Sequence, residues 1–243
     1  MSLRLAFDLD GVFADFSARV ADEADLGSEG ERTTDEDSEL ESTAGATPAS
    51  RVIEVPSAKA LRDKGARRRA WSRLAATENF WETLAEIEVG SVGQLAALAR
   101  ERRWEVIFLT SRPDAQGDSV QVQSQRWLEA KGFALPSVFV TTGSRGRIAS
   151  ALSLDLVVDD SPENCLDIAT ESEARAILVW RGATESVPAS ARRLGIGSVS
   201  SIGECLAVLD EADRVKRGGG GVRDAFRRLF RMPGAASAGR RLR

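Results

Sequence analysis

The chain has 243 residues, with 42% hydrophobic and 29% charged side chains, a net charge of −4, and neither histidine nor tyrosine. This length suits one domain, or one domain with a small accessory lobe, and it is sufficient to bury a core. The absence of histidine excludes Ser-His-Asp and Cys-His catalysis and histidine-bound zinc or iron, so proton transfer and metal binding must rest on carboxylates, Cys, Lys or backbone groups.

The N-terminal part of the chain combines an apolar strand with an acidic stretch. The sequence LRLAFDLD predicts a first strand over 3–10 that is apolar until it reaches its acids. Residues 22–41 then carry ten acidic side chains and one basic side chain. Because residues 24–52 contain almost no large apolar residues, they cannot offset their ordering entropy by burial, and we predict a disordered or loosely held insertion there.

Strands and helices alternate along the body of the chain. The predicted helices are 57–77, 94–103, 119–131, 147–152, a helix starting at Pro162, and 201–213, and the predicted strands are 104–110, 137–141, 155–160 and 174–180. These strands are continuous apolar runs, which are typical of parallel strands buried on both faces. The order predicts an α/β fold with a Rossmann-like parallel sheet flanked by helices. Ligands bind such sheets beyond the carboxyl ends of the strands.

The C-terminal end is basic, with ten basic and three acidic side chains in residues 211–243. A run of four glycines at 218–221 predicts a flexible tail over 214–243. The segment VRDAFRRLFR has apolar side chains on one side and arginines on the other, a pattern that suits binding to an anionic membrane or to nucleic acid. The alternative is that these ten residues, which follow a glycine linker, are only a frayed tail. The insertion and the tail are candidates for contact with a partner or with each other. Because the body is not basic, we expect no nucleic-acid partner.

Two further features concern the compartment. Cys165 and Cys205 are the only cysteines, too few for a disulfide framework, which favours a reducing interior. Asp8 and Asp10 interrupt the stretch that a signal peptide would need, and no run approaches the length of a transmembrane helix. We therefore expect a soluble, cytoplasmic protein without a transmembrane segment.

The first predicted strand ends in the sequence Asp8-Leu9-Asp10-Gly11. Asp8 and Asp10 share one face of the strand, because successive side chains point to opposite faces. Two carboxylates at the edge of a sheet are suitable ligands for a hard cation such as magnesium, and Gly11 permits a tight exit from the strand. The alternative is a pair of acids that only cap a turn or a helix.

Polar residues also follow two later strands. Thr110 and Ser111 end the 104–110 strand, where hydroxyls and backbone N–H groups can bind a phosphate. Asp159 and Asp160 end the 155–160 strand and could complete an oxygen cage for the same cation. Each pair has a simpler interpretation, as ordinary strand-end hydroxyls or as an N-cap acid before a helix.

The three strand ends DLDG, LTSR and VVDD, in this order, together resemble the haloacid dehalogenase superfamily of phosphohydrolases over residues 1–20 and 78–210. The resemblance implies that Asp8 attacks phosphorus and becomes an aspartyl phosphate. It implies that Asp10 protonates the leaving oxygen and then activates water.

The same resemblance implies a metal site and a phosphate site. Mg²⁺ would be held by the Asp8 carboxylate, the Asp10 backbone carbonyl and Asp159. Asp160 would lie next to these ligands and orient them or a metal-bound water. Thr110 and the amide of Ser111 would hold the phosphoryl group.

One position departs from the pattern of that superfamily. The superfamily usually has a lysine before the strand that ends in two acids, whereas here the segment TTGSRGRIASALSLDLVVDD contains none. Arg145 is the best match by its distance from Asp159, and Arg147 is second. Arginine supplies charge and a bidentate grip, but its planar head is not equivalent to an ammonium group. The alternative is that both arginines are surface charges at a helix start.

About 90 residues separate the first two strands of the sheet, which implies a cap over residues 17–89, inserted into a core formed by 1–16 and 90–213. The stretch NFWETLAEIEVGSVGQLAALARERRWEVIFLTSRP resembles that of 5′(3′)-deoxyribonucleotidases. Phe80 and Trp81 are therefore candidates for stacking on a base, and the alternative is that both belong to the core.

The leading hypothesis from the sequence is a Mg²⁺-dependent phosphomonoester hydrolase that acts on a nucleoside monophosphate or a similar small phosphate. One alternative is a binding or regulatory protein of the same fold with little turnover, which the missing lysine motivates. Another is a phosphatase for nucleic-acid ends that uses the basic tail as a tether.

Overall fold

Six parallel strands form one sheet in the computed structural model, which describes residues 2–32 and 64–230. The strands are β1 (Arg4–Asp8), β2 (Glu105–Thr110), β3 (Ser137–Val140), β4 (Leu156–Asp159), β5 (Arg175–Val179) and β6 (Gly197–Val199). Their order across the sheet is β3-β2-β1-β4-β5-β6. The predicted α/β parallel sheet is therefore confirmed. Sequence analysis missed β6, which has only three residues and too little apolar pattern to stand out.

Helices cover both faces of this sheet. Those of the described residues are α1 (Phe16–Arg32), α2 (Lys64–Ala75), α3 (Ser91–Arg102), α4 (Val120–Ala130), α5 (Arg145–Ala151), α6 (Pro162–Glu171), α7 (Ala189–Arg193), α8 (Ile202–Arg217) and α9 (Val222–Leu229), with short 3₁₀ helices at Phe80–Glu82 and Thr184–Ser186. In this part of the chain, none of the helices has the length and apolarity that crossing a membrane requires.

Alternate residues of the strands supply two separate cores, one on each face of the sheet. Leu5 and Phe7 of β1 point into the larger core, whereas Ala6 between them belongs to the smaller core on the other face. This follows from the twofold side-chain period of a strand. Because both faces are covered, the central strands β1, β2 and β4 are apolar between their terminal residues, and their polar side chains lie at the strand ends.

Serine side chains fix the helix starts around the carboxyl edge of the sheet. The hydroxyl groups of four N-cap serines accept hydrogen bonds from backbone N–H groups three residues later, at Ser119, Ser144, Ser161 and Ser201. Such caps satisfy N–H groups that have no partner within the helix. Pro162 follows Ser161 at the first position of α6, where its missing N–H is harmless. Helices α5 and α6 thus begin at defined places beside the strand ends.

Helices α1 and α2 pack together in the part of the chain predicted to be a cap. Arg73 forms an ion pair of 2.8 Å with Glu23, and Ala70 and Leu74 are buried against the core. The predicted disordered insertion 24–52 is wrong for its first nine residues, which continue α1. The scarcity of large apolar residues was misleading there, because the backbone hydrogen bonds of a helix form without an apolar face. The rest of that insertion lies outside the described residues.

The predicted flexible tail over 214–243 is also corrected in part. Helix α8 continues through Arg217, and α9 packs against β6 through Phe226, whose side chain is 1% exposed. Gly197 makes this packing possible, because a Cβ there would lie 2.4 Å from the ring of Phe230. The apolar side of the segment therefore packs on the core through Phe226, Val222 and Phe230, whereas Leu229 stays exposed. Residues 231–243 lie outside the described part of the chain.

Candidate active site

The strand ends singled out by the sequence meet at one edge of the sheet. Strand β1 lies between β2 and β4, with Asp8 paired in register with Leu109. This order places Asp8 between Thr110, at the end of β2, and Asp159, at the end of β4. The side chains of all three are nearly or completely buried. Three buried polar side chains thus lie together at the carboxyl edge, where ligands of such sheets bind.

Arg145 reaches this edge from the first position of α5. Its Nη2 lies 3.0 Å from Oδ1 of Asp8 and 3.0 Å from the hydroxyl oxygen of Ser111. Its Nε is 3.9 Å from Oδ2 of Asp159, and its buried Nη1 has no protein partner. Arg147 points away, with a side chain that is 82% exposed. Of the two candidate arginines, only Arg145 lies beside Asp8, and its Nη1 is a donor without a hydrogen-bond partner.

Burial and mutual repulsion make the carboxylates of this site hard to ionise. Burial is the main cause that raises the pKa of Asp8 well above its usual value, followed by repulsion from Asp159, and Arg145 opposes both effects. Burial also raises the pKa of Asp159, although hydrogen bonds from the Ser161 N–H and from Asn164 counteract it. Like charges in a desolvated site disfavour ionisation unless a cation compensates them.

Asp160 packs directly on the turn that follows β1. Gly11 has a φ of 77°, and a Cβ at this position would lie 1.9 Å from Oδ2 of Asp160. Only glycine therefore combines this backbone conformation with this close approach. Burial, followed by repulsion from Asp159, raises the pKa of Asp160 to about 6.

Asp10 is turned toward an arginine that sequence analysis did not single out. Nε of Arg112 lies 2.9 Å from Oδ2 of Asp10, and Nη2 lies 2.8 Å from Oδ1. The Arg112 side chain is completely buried, whereas that of Asp10 is 23% exposed. The only signal in the sequence was the position of Arg112, directly after the two strand-end hydroxyls.

Asn164 is a second functional candidate that the sequence did not reveal. Its Nδ2 donates to both carboxylate oxygens of Asp159, at 3.1 and 3.0 Å. The N–H of Ser161 donates to Oδ1 of the same carboxylate at 2.9 Å. These three hydrogen bonds fix the orientation of Asp159. An asparagine in the first turn of a helix gives no pattern by which this role could be predicted.

The donor set at this edge fits a hard divalent cation. Asp8 and Asp159 are buried carboxylates, and because burial raises the pKa of both, a bound cation would stabilise their ionised forms. Among residues 2–32 and 64–230, no three acidic or cysteine side chains converge on one point as a metal site of their own. Magnesium does not need three, since it commonly keeps several waters and takes one or two carboxylates. A backbone carbonyl and a substrate phosphate could complete its shell.

Phe80 and Trp81 do not offer a face to a ligand, which corrects the expectation that they stack on a base. They are 0% and 1% exposed, and their rings contact each other at a centroid distance of 5.0 Å. Phe16 and Trp71 complete the aromatic cluster. The indole N–H of Trp81 donates to the carbonyl of Pro113 at 3.1 Å. The aromatic pair belongs to the core beneath the site.

This burial predicts the effect of truncating Trp81. Trp81→Ala should lower the free energy of unfolding by about 3–5 kcal/mol, because a large cavity replaces a close-packed ring. Chemical denaturation measures this loss. The ratio of activities on a nucleoside monophosphate and on a ringless phosphate should stay unchanged, and a selective loss on the nucleotide would return Trp81 to the binding site.

The raised pKa of Asp160 predicts a pH-dependent stability. An unfolded aspartate titrates near 3.9, so the folded protein holds this proton more tightly. The resulting stabilisation is complete below pH ~4 and is lost as the pH rises through about 6. In EDTA, the unfolding free energy of the wild type minus that of Asp160→Asn should fall by about 1–3 kcal/mol between pH 4 and 7. Urea denaturation at several pH values measures it, and a flat difference would contradict the assignment.

No family model and no curated protein matches the sequence. Solved structures do match. A haloacid dehalogenase family hydrolase from Deinococcus radiodurans R1, solved with bound phosphate and sodium, is 17% identical with a TM-score of 0.50, and the match covers 88% of this chain and 96% of that one. The chain therefore has the fold of the haloacid dehalogenase family hydrolases, which confirms the expected fold.

Two other solved structures show lower similarity. A haloacid dehalogenase-like hydrolase from Xanthomonas campestris is 14% identical, with a TM-score of 0.47 and coverage of 90% of this chain and 98% of that one. CbbY from Rhodobacter sphaeroides, in complex with phosphate, is 17% identical, with a TM-score of 0.42 and coverage of 86% and 100%. The finer resemblance to deoxyribonucleotidases stays a prediction.

Proposed function

We propose that this protein hydrolyses a small phosphomonoester through an aspartyl phosphate on Asp8. The observation that carries the proposal is the buried contact of Arg145 Nη2 with Asp8, together with a buried Nη1 on the same guanidinium that has no hydrogen-bond partner. An arginine with an unpaired donor on the guanidinium that contacts a nucleophilic carboxylate is suited to bind the transferring phosphoryl group. Thr110 and Ser111 add a hydroxyl and a backbone amide at the same edge.

The residues divide the reaction between them. The Asp8 carboxylate oxygen attacks phosphorus, the bond to the leaving oxygen breaks, and Asp10 gives that oxygen a proton. Water then attacks phosphorus and gives a proton to Asp10, and the bond to Asp8 breaks. Arg145 neutralises charge on the phosphoryl group in both steps. Mg²⁺, held by Asp8, the Asp10 carbonyl and Asp159, would supply further charge neutralisation when bound.

A cavity beside the site has room for a small leaving group. It has a volume of about 500 Å³ and is lined by residues that include Gly11, Asp15, Ile87, Asp160 and Trp180. This is within the size range of small-molecule pockets. Its carboxylates disfavour a second phosphate on the substrate. The leaving group we propose is therefore uncharged.

Among the described residues that line this cavity, one is a cation, and it does not alter that conclusion. Arg181 also lines the cavity, but its Nη2 forms an ion pair of 2.8 Å with Glu88. The same guanidinium donates to the carbonyl groups of Gly11 and Val12. These contacts hold Arg181 against the protein, so little of its charge is available to a substrate.

A nucleoside monophosphate is our first candidate substrate, because the nucleoside is uncharged and residues 79–113 resemble the deoxyribonucleotidase stretch. The buried aromatic pair does not contribute to this argument. The same chemistry would serve other small phosphates.

A panel of phosphomonoesters, each with Mg²⁺ and with EDTA, tests the proposal. We expect Mg²⁺-dependent release of phosphate from compounds with one phosphate, and slower release from bisphosphates of similar size. Absence of turnover across the panel would favour a binding protein of the same fold. Faster hydrolysis of bisphosphates would contradict the proposed leaving-group cavity.

A further inference from the structure

Arg112 is held rigidly from several directions. Its Nη1 donates to the hydroxyl oxygen of Ser124 at 3.0 Å, on the side opposite to Asp10. Its guanidinium carbon lies 4.7 Å from the ring centroid of Trp81 and 5.9 Å from that of Trp127. An arginine between aromatic rings in a desolvated site is stabilised by cation–π attraction and has little rotamer freedom. The guanidinium of Arg112 is thus held in one position within the core.

The contact with Arg112 also holds the carboxylate of Asp10 in place. Arg112 reaches both oxygens of Asp10 with Nε, at 3.1 and 2.9 Å, and reaches Oδ1 again with Nη2 at 2.8 Å. A bidentate grip of this kind fixes the plane of the carboxylate as well as its distance. A carboxylate has about four lone-pair sites, so positions remain for a proton. The side chain of Asp10 is still 23% exposed on the open side.

We propose that Arg112 is a positioning residue that acts through Asp10. It holds the carboxyl group where that group can protonate the leaving oxygen and later accept the proton of the attacking water. The inference rests on the proposed function, since it assigns a positioning role to a residue of the same site. The inference also gives Trp81 a role, because its ring packs on the guanidinium of Arg112 and its N–H donates to the carbonyl of Pro113. A displacement of about 1 Å in such a group can cost 10²-fold in rate.

Two substrates separate this role from a structural one. With glycerol phosphate, the leaving alkoxide needs a proton, so Arg112→Ala should lower kcat by about 10²-fold with little change in KM. With 4-nitrophenyl phosphate, the leaving group departs without a proton, so the first step should persist and only the hydrolysis of the aspartyl phosphate should slow. We therefore expect a burst of nitrophenolate followed by slow turnover.

Matched variants complete the experiment. Arg112→Lys keeps the charge without the fork and should show the same burst, and millimolar guanidinium should restore part of the turnover of Arg112→Ala. Arg126→Ala removes an arginine that is 50% exposed and should change nothing in the kinetics. The amplitude of the burst and the turnover rates on the two substrates can be normalised to the folded fraction, which thermal melts report. If Arg112→Ala does not fold, Arg112→Lys carries the test.

The contrary outcomes are distinct. Wild-type kinetics in a folded Arg112 variant would overturn the inference, and so would equal slowing on both substrates without a burst, because Arg112 would then act on the attack by Asp8. Either result leaves the proposed function intact. A wild-type protein that hydrolyses neither substrate would instead remove the proposed function together with this inference.

Discussion

Asp8→Asn should abolish phosphatase activity while leaving the fold intact. The amide oxygen is a poor nucleophile, and removal of a nucleophile from a covalent mechanism costs far more than removal of a binding contact, so we expect a loss of at least about 10³-fold in kcat. The variant should also give no burst with 4-nitrophenyl phosphate and no acid-stable phosphorylated protein. Steady-state rates and acid-quenched labelling with radioactive phosphate measure both effects.

The stability of this variant separates chemistry from structure. Because burial and Asp159 raise the pKa of Asp8, the ionised form is disfavoured in the folded protein. A neutral amide of the same shape removes that repulsion, although it weakens the contact with Arg145. The melting temperature at neutral pH should therefore be maintained. Asp118→Asn, at a carboxylate that is 49% exposed, is the matched control and should keep full activity. An active Asp8→Asn protein would refute the aspartyl phosphate.

The strand ends of the site were predictable because a parallel sheet brings carboxyl ends together. Asp8, Thr110 and Asp159 follow apolar runs, and the strand order places them side by side. The resemblance to the superfamily favoured Arg145 over Arg147 by its distance from Asp159, and the structure brings only Arg145 to the site. Each of these residues is tied to the end or start of an element, where its position follows from backbone geometry.

Arg112 and the aromatic pair were not predictable in the same way. Their roles depend on which side chains face each other across the core, and this is decided by packing between segments that are distant in sequence. Trp81 and Arg112 are 31 positions apart, and no spacing rule connects them. An aromatic pair beside a cap equally suits a base and a core, and only its burial decides between them. The acidic stretch of α1 shows a similar limit, because composition does not reveal helical hydrogen bonding.

Arg145→Ala should weaken the binding of phosphate far more than Arg147→Ala. Arg145 lies beside Asp8 with an unpaired donor, and the loss of one preorganised, charge-assisted donor in a water-poor site costs about 10²–10³-fold. We expect a loss of this size in kcat/KM and a parallel rise in the inhibition constant of inorganic phosphate. Arg147→Ala should change either quantity less than about twofold, because an exposed side chain in water has little effect.

Arg145→Lys tests whether charge or the planar fork is required. Lysine restores a cation as a point charge with three donors, but it lacks the planar fork with which Arg145 contacts Asp8 and Ser111. It should therefore recover part of the phosphate affinity that Arg145→Ala loses. The alanine variant should also be less stable at high pH, where Asp8 and Asp159 would ionise without their neighbouring cation. Calorimetric titration with phosphate and melts across pH measure the two effects. Equal losses in the two alanine variants would mean that the phosphate is held elsewhere along this edge of the sheet.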